Sequence, residues 1–189
     1  KSITIGNLAI AFAQQGKRVL LLECNLRRPS LSRVFGLEQG AGISDILIEK
    51  TNWKECVRTV TDLALGTFSV DDILAIPGLG NFNILTYGHR PPNPAELLAS
   101  PKMDSLLTDL RDYFDIILVD APPLLPVADS TVLSKKVDGV VMVYKVGKAP
   151  RNSLRLCKER LEAVHANLLG VVLNDIRPET AGSAYSKYS

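Results

Sequence analysis

The amino-acid sequence predicts an α/β fold that is doubly wound, with a mostly parallel sheet and helices on both faces. Short apolar runs alternate with amphipathic segments along the chain. The apolar runs are continuous stretches of Val, Ile and Leu, which is typical of strands buried on both faces of a parallel sheet. In folds of this class ligands bind at the carboxyl ends of the strands, so the residues that follow each run are candidates for chemistry.

The predicted strands and helices alternate as this fold requires. Strands are predicted at 18–24, 82–86, 115–120, 139–144 and 168–174. Helices are predicted at 3–15, 43–49, 53–60, 101–114 and 151–164. Gly16 ends the first helix, whereas Ser100 and Pro101 supply an N-cap and a first helical residue for the fourth. The stretch 36–94 is less regular and forms an excursion between strands.

Length and composition predict one compact domain, 1–180, followed by a polar tail, 181–189. A net charge of +2, with dispersed basic residues, argues against a nucleic-acid-binding surface. The three cysteines stand apart without metal-ligand spacing, and their odd number, without a signal peptide, indicates a reducing cytosol. No apolar run approaches the length of a membrane span.

The chain begins with Lys1 and Ser2, the pair that ends a glycine-rich phosphate-binding loop, or P-loop. In such a loop backbone N–H groups hold the phosphates, the Lys reaches the β and γ oxygens and the hydroxyl binds Mg²⁺. A helix-compatible run follows directly, so the phosphates would lie at a helix N-terminus. The glycines and the first P-loop strand are missing from this chain, and we therefore expect the native chain to extend upstream. The alternative for a terminal Lys-Ser pair is a solvated end.

Two predicted strands end in polar residues. Residues 20–29 read LLLECNLRRP, and residues 116–123 read IILVDAPP. The carboxyl ends of parallel strands meet at one edge of the sheet, where a nucleotide phosphate site is expected. Asp120 would project into the crevice that holds a magnesium ion or its water; the alternative is that it caps the next turn.

Nearly the whole chain resembles the catalytic domain of bacterial tyrosine kinases (BY-kinases), regulators of capsule and exopolysaccharide synthesis that are related to the MinD/ParA ATPases. The matching segments are Lys1-Ser2 as the end of Walker A, 20–29 as Walker A′, 116–123 as Walker B, PPNPAELL at 91–98 and VVLN at 171–174. PPNPAELL discriminates best, because it is common in BY-kinases and is not associated with the partitioning ATPases. Its alternative role is a loop stop followed by a helix that begins at Pro94.

The resemblance implies an ATP-dependent protein-tyrosine autokinase that uses ATP and Mg²⁺. It implies that Lys1 grips the phosphates, that Ser2 ligates Mg²⁺ and that Asp120 orients the metal. It also implies that Asn174 reads the adenine, unless Asn174 is only a turn residue at a strand end.

The resemblance further implies phosphate transfer in trans within a ring-like homo-oligomer. Tyr185 and Tyr188, in the polar tail, are the candidate phosphoacceptors. The implied partner is a membrane activator or a fused polysaccharide co-polymerase domain, and no nucleic acid is implied. The implied location is the cytoplasmic face of the bacterial inner membrane, with this fragment itself soluble.

The chain departs from the family in Walker A′, where Asp-x-Asp is expected and Glu23-Cys24-Asn25 is present. Glu23 keeps a carboxylate that could reach Mg²⁺ through water. Asn25 is neutral, and the family residue at its position is the candidate general base or metal holder. With Lys1 and Asp120, these two residues complete the predicted catalytic set. We expect a large drop in phosphotransfer, with ATP binding less affected.

Two further hypotheses stay open beside the autokinase that regulates capsular or exopolysaccharide synthesis and export. A degenerate relative would bind ATP as a switch for assembly of an export complex, without efficient phosphotransfer. A MinD/ParA-like ATPase would act by nucleotide-dependent dimerisation. PPNPAELL, the LRRP segment and the tyrosine-bearing tail argue against the third hypothesis, as does the absence of a C-terminal amphipathic membrane helix from the sequence.

Overall fold

The computed structural model describes residues 1–59, 77–148 and 152–176, together with residues 62 and 150. The chain divides into two compact units, Lys1–Pro123 and Leu124–Ser189. Each unit is an α/β arrangement of parallel strands and helices, which confirms the predicted fold class.

The first unit contains three strands and six α-helices among its described residues. The strands are β1 (Val19–Glu23), β2 (Phe82–Leu85) and β3 (Ile116–Asp120). The helices are α1 (Ser2–Gln14), α2 (Leu31–Val34), α3 (Ile43–Leu47), α4 (Trp53–Cys56), α5 (Pro94–Ala99) and α6 (Pro101–Arg111). A single 3₁₀ turn, Leu79–Asn81, leads into β2.

The three strands form one parallel sheet in the order β2-β1-β3. Val19 lies beside Phe82 on one side and Ile116 on the other, so the three strands start in register. At the opposite end Glu23 lies beside Asp120. The central position of β1 explains why all five of its residues are buried.

The core of this unit lies between α1 and the sheet. Alternate strand residues project to the same face, and Val19 and Leu21 pack there with Ala9 and Ala13 of α1. Leu20 and Leu22 project to the opposite face and are also fully buried, as a doubly covered strand requires. Further members of the α1-side cluster are Leu31, Leu79, Phe82 and Ile84.

The second unit contains β4 (Val140–Lys145) and β5 (Leu168–Asn174), which pair in parallel, with α7 (Asp129–Ser134) and α8 (Asn152–Glu162). These strands are more exposed than β1, and Leu169 and Leu173 are 66% and 52% exposed. The two strands pair along their length, from Val140 beside Leu168 to Lys145 beside Asn174. In the first unit, β3 is half-buried along most of its length and ends in the buried Asp120.

The predicted helix at 53–60 ends at Cys56, so the prediction is wrong at 57–59. Val57 turns to an extended conformation, and Arg58 forms an antiparallel bridge with Ile84 of β2. The Arg58 N–H donates to the Ile84 carbonyl at 2.7 Å, and the reverse bond measures 2.8 Å. Pairing with the sheet edge thus replaces the helical hydrogen bonds. The other predicted helices and strands are confirmed, with ends that coincide or differ by at most three residues.

Among the residues that the structure describes, no helix is both long and apolar enough to cross a bilayer.

Candidate functional site

The candidate site lies at the carboxyl ends of β1 and β3, where helix α1 begins. Asp120 is the last residue of β3 and is 3% exposed. Ser2 is the first residue of α1, and its hydroxyl donates to Oδ2 of Asp120 at 2.6 Å. The structure therefore brings together two residues that are 118 positions apart and that the sequence places in one phosphate site.

Lys1 lies at the N-cap position of α1 beside the same strand end. Its Nζ donates to the carbonyl oxygen of Ala121 at 3.0 Å. Partial desolvation lowers the pKa of the Lys1 ammonium group, and the nearby Asp120 carboxylate opposes this shift. The ammonium group thus lies at the end of β3, where the 13-residue helix α1 begins.

Glu23 ends β1 and is fully buried beside Asp120. Its Oε1 accepts the backbone N–H groups of Ser30 and Leu31 at 2.5 and 2.7 Å. Its Oε2 accepts the N–H of Tyr87 at 3.3 Å. Burial raises the pKa of the Glu23 carboxyl, the three backbone N–H groups oppose the shift, and the Asp120 charge adds to it. Both oxygens are engaged with the chain itself, so Glu23 holds two loops in place.

Ser30 also belongs to the site, although no sequence pattern predicted it. Its hydroxyl donates to the Ser2 hydroxyl oxygen at 2.8 Å, and Ser2 in turn donates to Asp120. The only sequence signal is a Ser that directly follows LRRP and precedes a helix, and such a Ser is ordinarily assigned to helix capping.

Asn25 forms a turn with Arg28. The side-chain Nδ2 donates to the Arg28 carbonyl oxygen at 2.8 Å, and Oδ1 accepts the Arg28 N–H at 3.3 Å. An aspartate could keep only the second of these bonds, because a carboxylate has no donor. Asn25 therefore fixes the loop that leads from β1 to α2. In the same loop the Arg27 carbonyl oxygen accepts Nη2 of Arg90 at 3.3 Å.

The loop that follows β2 is hydrogen-bonded to the N-terminus of α3. Buried Asp45 accepts the backbone N–H of His89 at 3.1 Å through Oδ2, and its Oδ1 lies 2.8 Å from Nδ1 of His89. The Ser44 hydroxyl donates to the His89 carbonyl oxygen. Since the same loop donates its Tyr87 N–H to Glu23, α3 is connected through it to the candidate site.

The oxygens of this site fit a small hard cation. The hydroxyl of Ser2 and the carboxylate of Asp120 are the ligand types that Mg²⁺ prefers, and they already lie within hydrogen-bonding distance. The adjacent N-terminus of α1 and the Lys1 ammonium favour an anion. A phosphate group with a divalent cation therefore suits the arrangement.

Three further residues were predicted for the site: Asn174, Tyr185 and Tyr188. Asn174 ends β5 in the second unit, where it is exposed, pairs in register with Lys145 and accepts the Asp175 N–H through Oδ1 at 3.0 Å. This is the geometry of a residue in a strand-end turn. Tyr185 and Tyr188, and the predicted boundary between 180 and 181, lie outside the described residues.

No protein-family model matches the chain. Among curated proteins, it is 35% identical over 189 residues to the tyrosine-protein kinase YwqD of Bacillus subtilis, with 100% of the chain and 70% of that protein covered. It is 29% identical over 188 residues to the putative tyrosine-protein kinase CapB of Staphylococcus aureus, with 100% and 75% covered. It also matches the tyrosine-protein kinase etk of Escherichia coli at 30% identity, but spans only 23% of that protein.

Solved structures give the same relationship. The kinase domain of the Escherichia coli tyrosine kinase ETK matches with a TM-score of 0.77 and 29% identity over 90% of this chain and 60% of that chain. The VpsO kinase domain also has a TM-score of 0.77, with 30% identity over 90% and 76%. The cell division ATPase MinD of Pyrococcus furiosus, at 21% identity and a TM-score of 0.68 over 95% and 71%, shares the P-loop fold. The chain belongs to the family of bacterial tyrosine-protein kinases.

Proposed function

We propose that this chain is an ATP-dependent protein-tyrosine autokinase that regulates capsular or exopolysaccharide synthesis and export. The observation that carries the proposal is the contact between Ser2 and Asp120, with Lys1 beside it at the start of α1. This is the set of groups that a P-loop enzyme uses to hold nucleotide phosphates with a metal ion.

The residues present divide the work of phosphoryl transfer between them. Ser2 and Asp120 would hold Mg²⁺, which supplies charge neutralisation at the phosphates when bound. Lys1 would bind the β and γ oxygens, and Asn174 would contact the adenine. The bond between the γ-phosphorus and the oxygen that leaves with ADP would break, and the γ-phosphorus would bond to a tyrosine oxygen, whose proton would pass to solvent water. Glu23 would reach the metal only through water, because its oxygens accept backbone hydrogen bonds.

The proposed acceptors are Tyr185 and Tyr188 of a neighbouring copy in a ring-like homo-oligomer. A membrane activator or a fused polysaccharide co-polymerase domain would bring the kinase to the cytoplasmic face of the bacterial inner membrane. Support for the proposed acceptors and partners comes from the relatives. CapB is named as a putative tyrosine-protein kinase and etk as a tyrosine-protein kinase. A crystal structure of the chimerical protein CapA2B2 is also similar to this chain.

A degenerate nucleotide switch is the second candidate, and the Walker A′ geometry favours it. Asn25 uses its amide in a turn with Arg28, and Glu23 uses its carboxylate on three backbone N–H groups. Neither side chain is positioned as a free base for a tyrosine proton. A lost general base lowers a rate by about 10²- to 10⁴-fold.

The test uses the chain extended upstream to restore the P-loop. The protein is incubated with ATP and Mg²⁺, and phosphotyrosine is located by mass spectrometry, with Tyr185→Phe/Tyr188→Phe as the acceptor control. Phosphate on these tyrosines supports the autokinase. ATP binding without phosphotyrosine in any variant supports the switch, and no ATP binding contradicts both candidates.

Replacing Asn25 by Asp separates the two candidates further. We expect phosphotyrosine formation to rise on the order of 100-fold or more, because a carboxylate can accept the proton. ATP affinity should change little. Asn7→Asp, which adds the same charge at an exposed position of α1, is the matched control. An Asn25→Asp protein that is no faster than the Asn7→Asp protein would show that position 25 does not limit the reaction.

A further inference from the structure

Ser30 occupies the N-cap position of α2 but does not cap the helix. A Ser at this position ordinarily accepts a backbone N–H from the first turn. Here the side chain makes no such bond, and the hydroxyl is directed to Ser2 at 2.8 Å. The first-turn N–H of Leu31 is satisfied instead by the carboxylate of Glu23 at 2.7 Å. Glu23 therefore releases the Ser30 hydroxyl for another role.

The hydroxyl groups of Ser30 and Ser2 form a chain with a fixed direction. An ionised carboxylate only accepts hydrogen bonds, so the 2.6 Å contact with Asp120 requires Ser2 to donate. The Ser2 oxygen is then free to accept, and Ser30 donates to it. The hydrogen bond from Ser30 uses one lone pair of the Ser2 oxygen. It thereby fixes the direction of the other lone pair, which stays available to a cation.

The backbone of Ser30 is held as firmly as its side chain. Its N–H donates to Oε1 of Glu23, and Glu23 lies directly beside Asp120 in the sheet register. The carboxyl of Glu23, one methylene longer than the Asp that the family pattern has at this position, spans from the strand to this loop. The unusual Walker A′ acid and Ser30 therefore act as one unit.

We propose that Ser30 is a positioning residue for the divalent cation at Ser2 and Asp120, held in place by Glu23. The inference rests on the proposed nucleotide-binding function and deepens it. In place of a metal-facing Walker A′ carboxylate, the chain presents a neutral hydroxyl to the metal-binding pair.

The test measures how Mg²⁺ affects the binding of a fluorescent ADP analogue to the upstream-extended chain. Ser30→Val and Ser30→Thr are the central pair, because the two side chains have nearly the same shape and only Thr keeps the hydroxyl. We expect Ser30→Val to raise the half-saturating Mg²⁺ concentration roughly fivefold, the effect of losing one hydrogen bond. Ser30→Thr should stay within about twofold of the unchanged protein on the same scale.

Binding of the analogue in EDTA separates metal positioning from a structural role. Ser30→Val should bind ADP without metal as the unchanged protein does. Ser105→Ala, which removes an exposed hydroxyl on α6, serves as a neutral control, and Ser30→Ala provides a smaller hydroxyl-free variant if Val distorts the loop. Trp53 fluorescence reports whether each variant is folded.

The Mg²⁺ dependence of the Ser30 variants, compared with that of Ser105→Ala, decides whether Ser30 positions the metal. The inference is overturned if Ser30→Val and Ser30→Ala have the same half-saturating Mg²⁺ concentration as Ser105→Ala. It is also overturned if Ser30→Val weakens binding of the ADP analogue equally with Mg²⁺ and in EDTA. If ADP binding in the unchanged protein does not respond to Mg²⁺, both the inference and the metal site are wrong. If the expected Mg²⁺ shift is found but phosphotyrosine never forms, Ser30 keeps its role and only the kinase proposal fails.

Discussion

Removal of the Glu23 carboxyl should destabilise the first unit strongly. Glu23→Ala deletes the acceptor of two short backbone hydrogen bonds, from Ser30 and Leu31, and of a longer one from Tyr87. At about 1.5 kcal/mol for each short bond, the free energy of unfolding should fall by about 3 kcal/mol. Glu23→Gln keeps an oxygen for Ser30 and Leu31 and should cost about 1 kcal/mol.

Urea unfolding followed by Trp53 fluorescence tests this prediction. Trp53 is the chain's single tryptophan and lies in the same unit as Glu23, so its signal reports that unit. With a denaturant slope of about 2 kcal/mol per molar, Glu23→Ala should lower the midpoint by about 1.5 M. Glu38→Ala, at an exposed position, is the control. A Glu23→Ala protein less than about 1 kcal/mol from this control would refute the reasoning.

The pH dependence of the same measurement has a definite sign. The pKa of Glu23 is raised in the folded state, so the folded chain holds this proton more tightly than the unfolded chain. The ordinary pKa of a Glu carboxyl is 4.5. The contribution of Glu23 to stability is therefore fully present below pH 4.5 and is lost as pH rises through the higher pKa of the folded state. Glu23→Gln cannot titrate and should remove this decrease. An unchanged pH profile in Glu23→Gln would assign the slope to other groups.

Two further predictions concern positions away from the strand ends. Gly88→Ala should lower the free energy of unfolding by more than about 3 kcal/mol, and Gly16→Ala by about 1 kcal/mol. Both glycines have φ near +80°, but only at Gly88 would the new Cβ lie 2.2 Å from a carboxylate oxygen of α3. Equal losses of stability in urea unfolding would refute the steric argument. Arg18 lowers the pKa of Asp115 from 3.8 to about 2, so this pair's contribution to stability is present above pH 3.8 and is lost as pH falls toward 2. Asp115→Asn should flatten that part of the acid-unfolding profile, and an unaltered profile would contradict the assignment.

The sequence predicted the first unit well because its signals are local and strong. The predicted strand at 18–24 contains four consecutive apolar residues, 19–22, and the structure has residues 19–23 as the fully buried strand β1. Pro94 and Pro101 begin helices α5 and α6 as expected. Where the prediction failed, at 57–59, the cause is long-range pairing of Arg58 with the edge of β2, which no local pattern reveals.

The candidate site could be predicted in part for the same reason. Ser2 and Asp120 are determined by their places at a helix start and a strand end, so their proximity follows from the fold. The roles of Glu23 and Asn25 could not be read in this way, since both depend on how the loop after β1 folds back. Ser30 was missed because its hydroxyl leaves the expected capping position.

The junction between α3 and the loop after β2 leaves no room for a side chain on either partner. A Cβ at Gly42 would lie 2.2 Å from the Thr86 carbonyl oxygen and 2.4 Å from the Gly88 nitrogen, and a Cβ at Gly88 would lie 2.7 Å from the Gly42 nitrogen. Each glycine faces backbone atoms of the other segment. A side chain at one position therefore cannot be accommodated by a smaller residue at the other. We therefore expect saturation mutagenesis of positions 42 and 88 to recover glycine at both, even when the selection is for folding alone and not for activity.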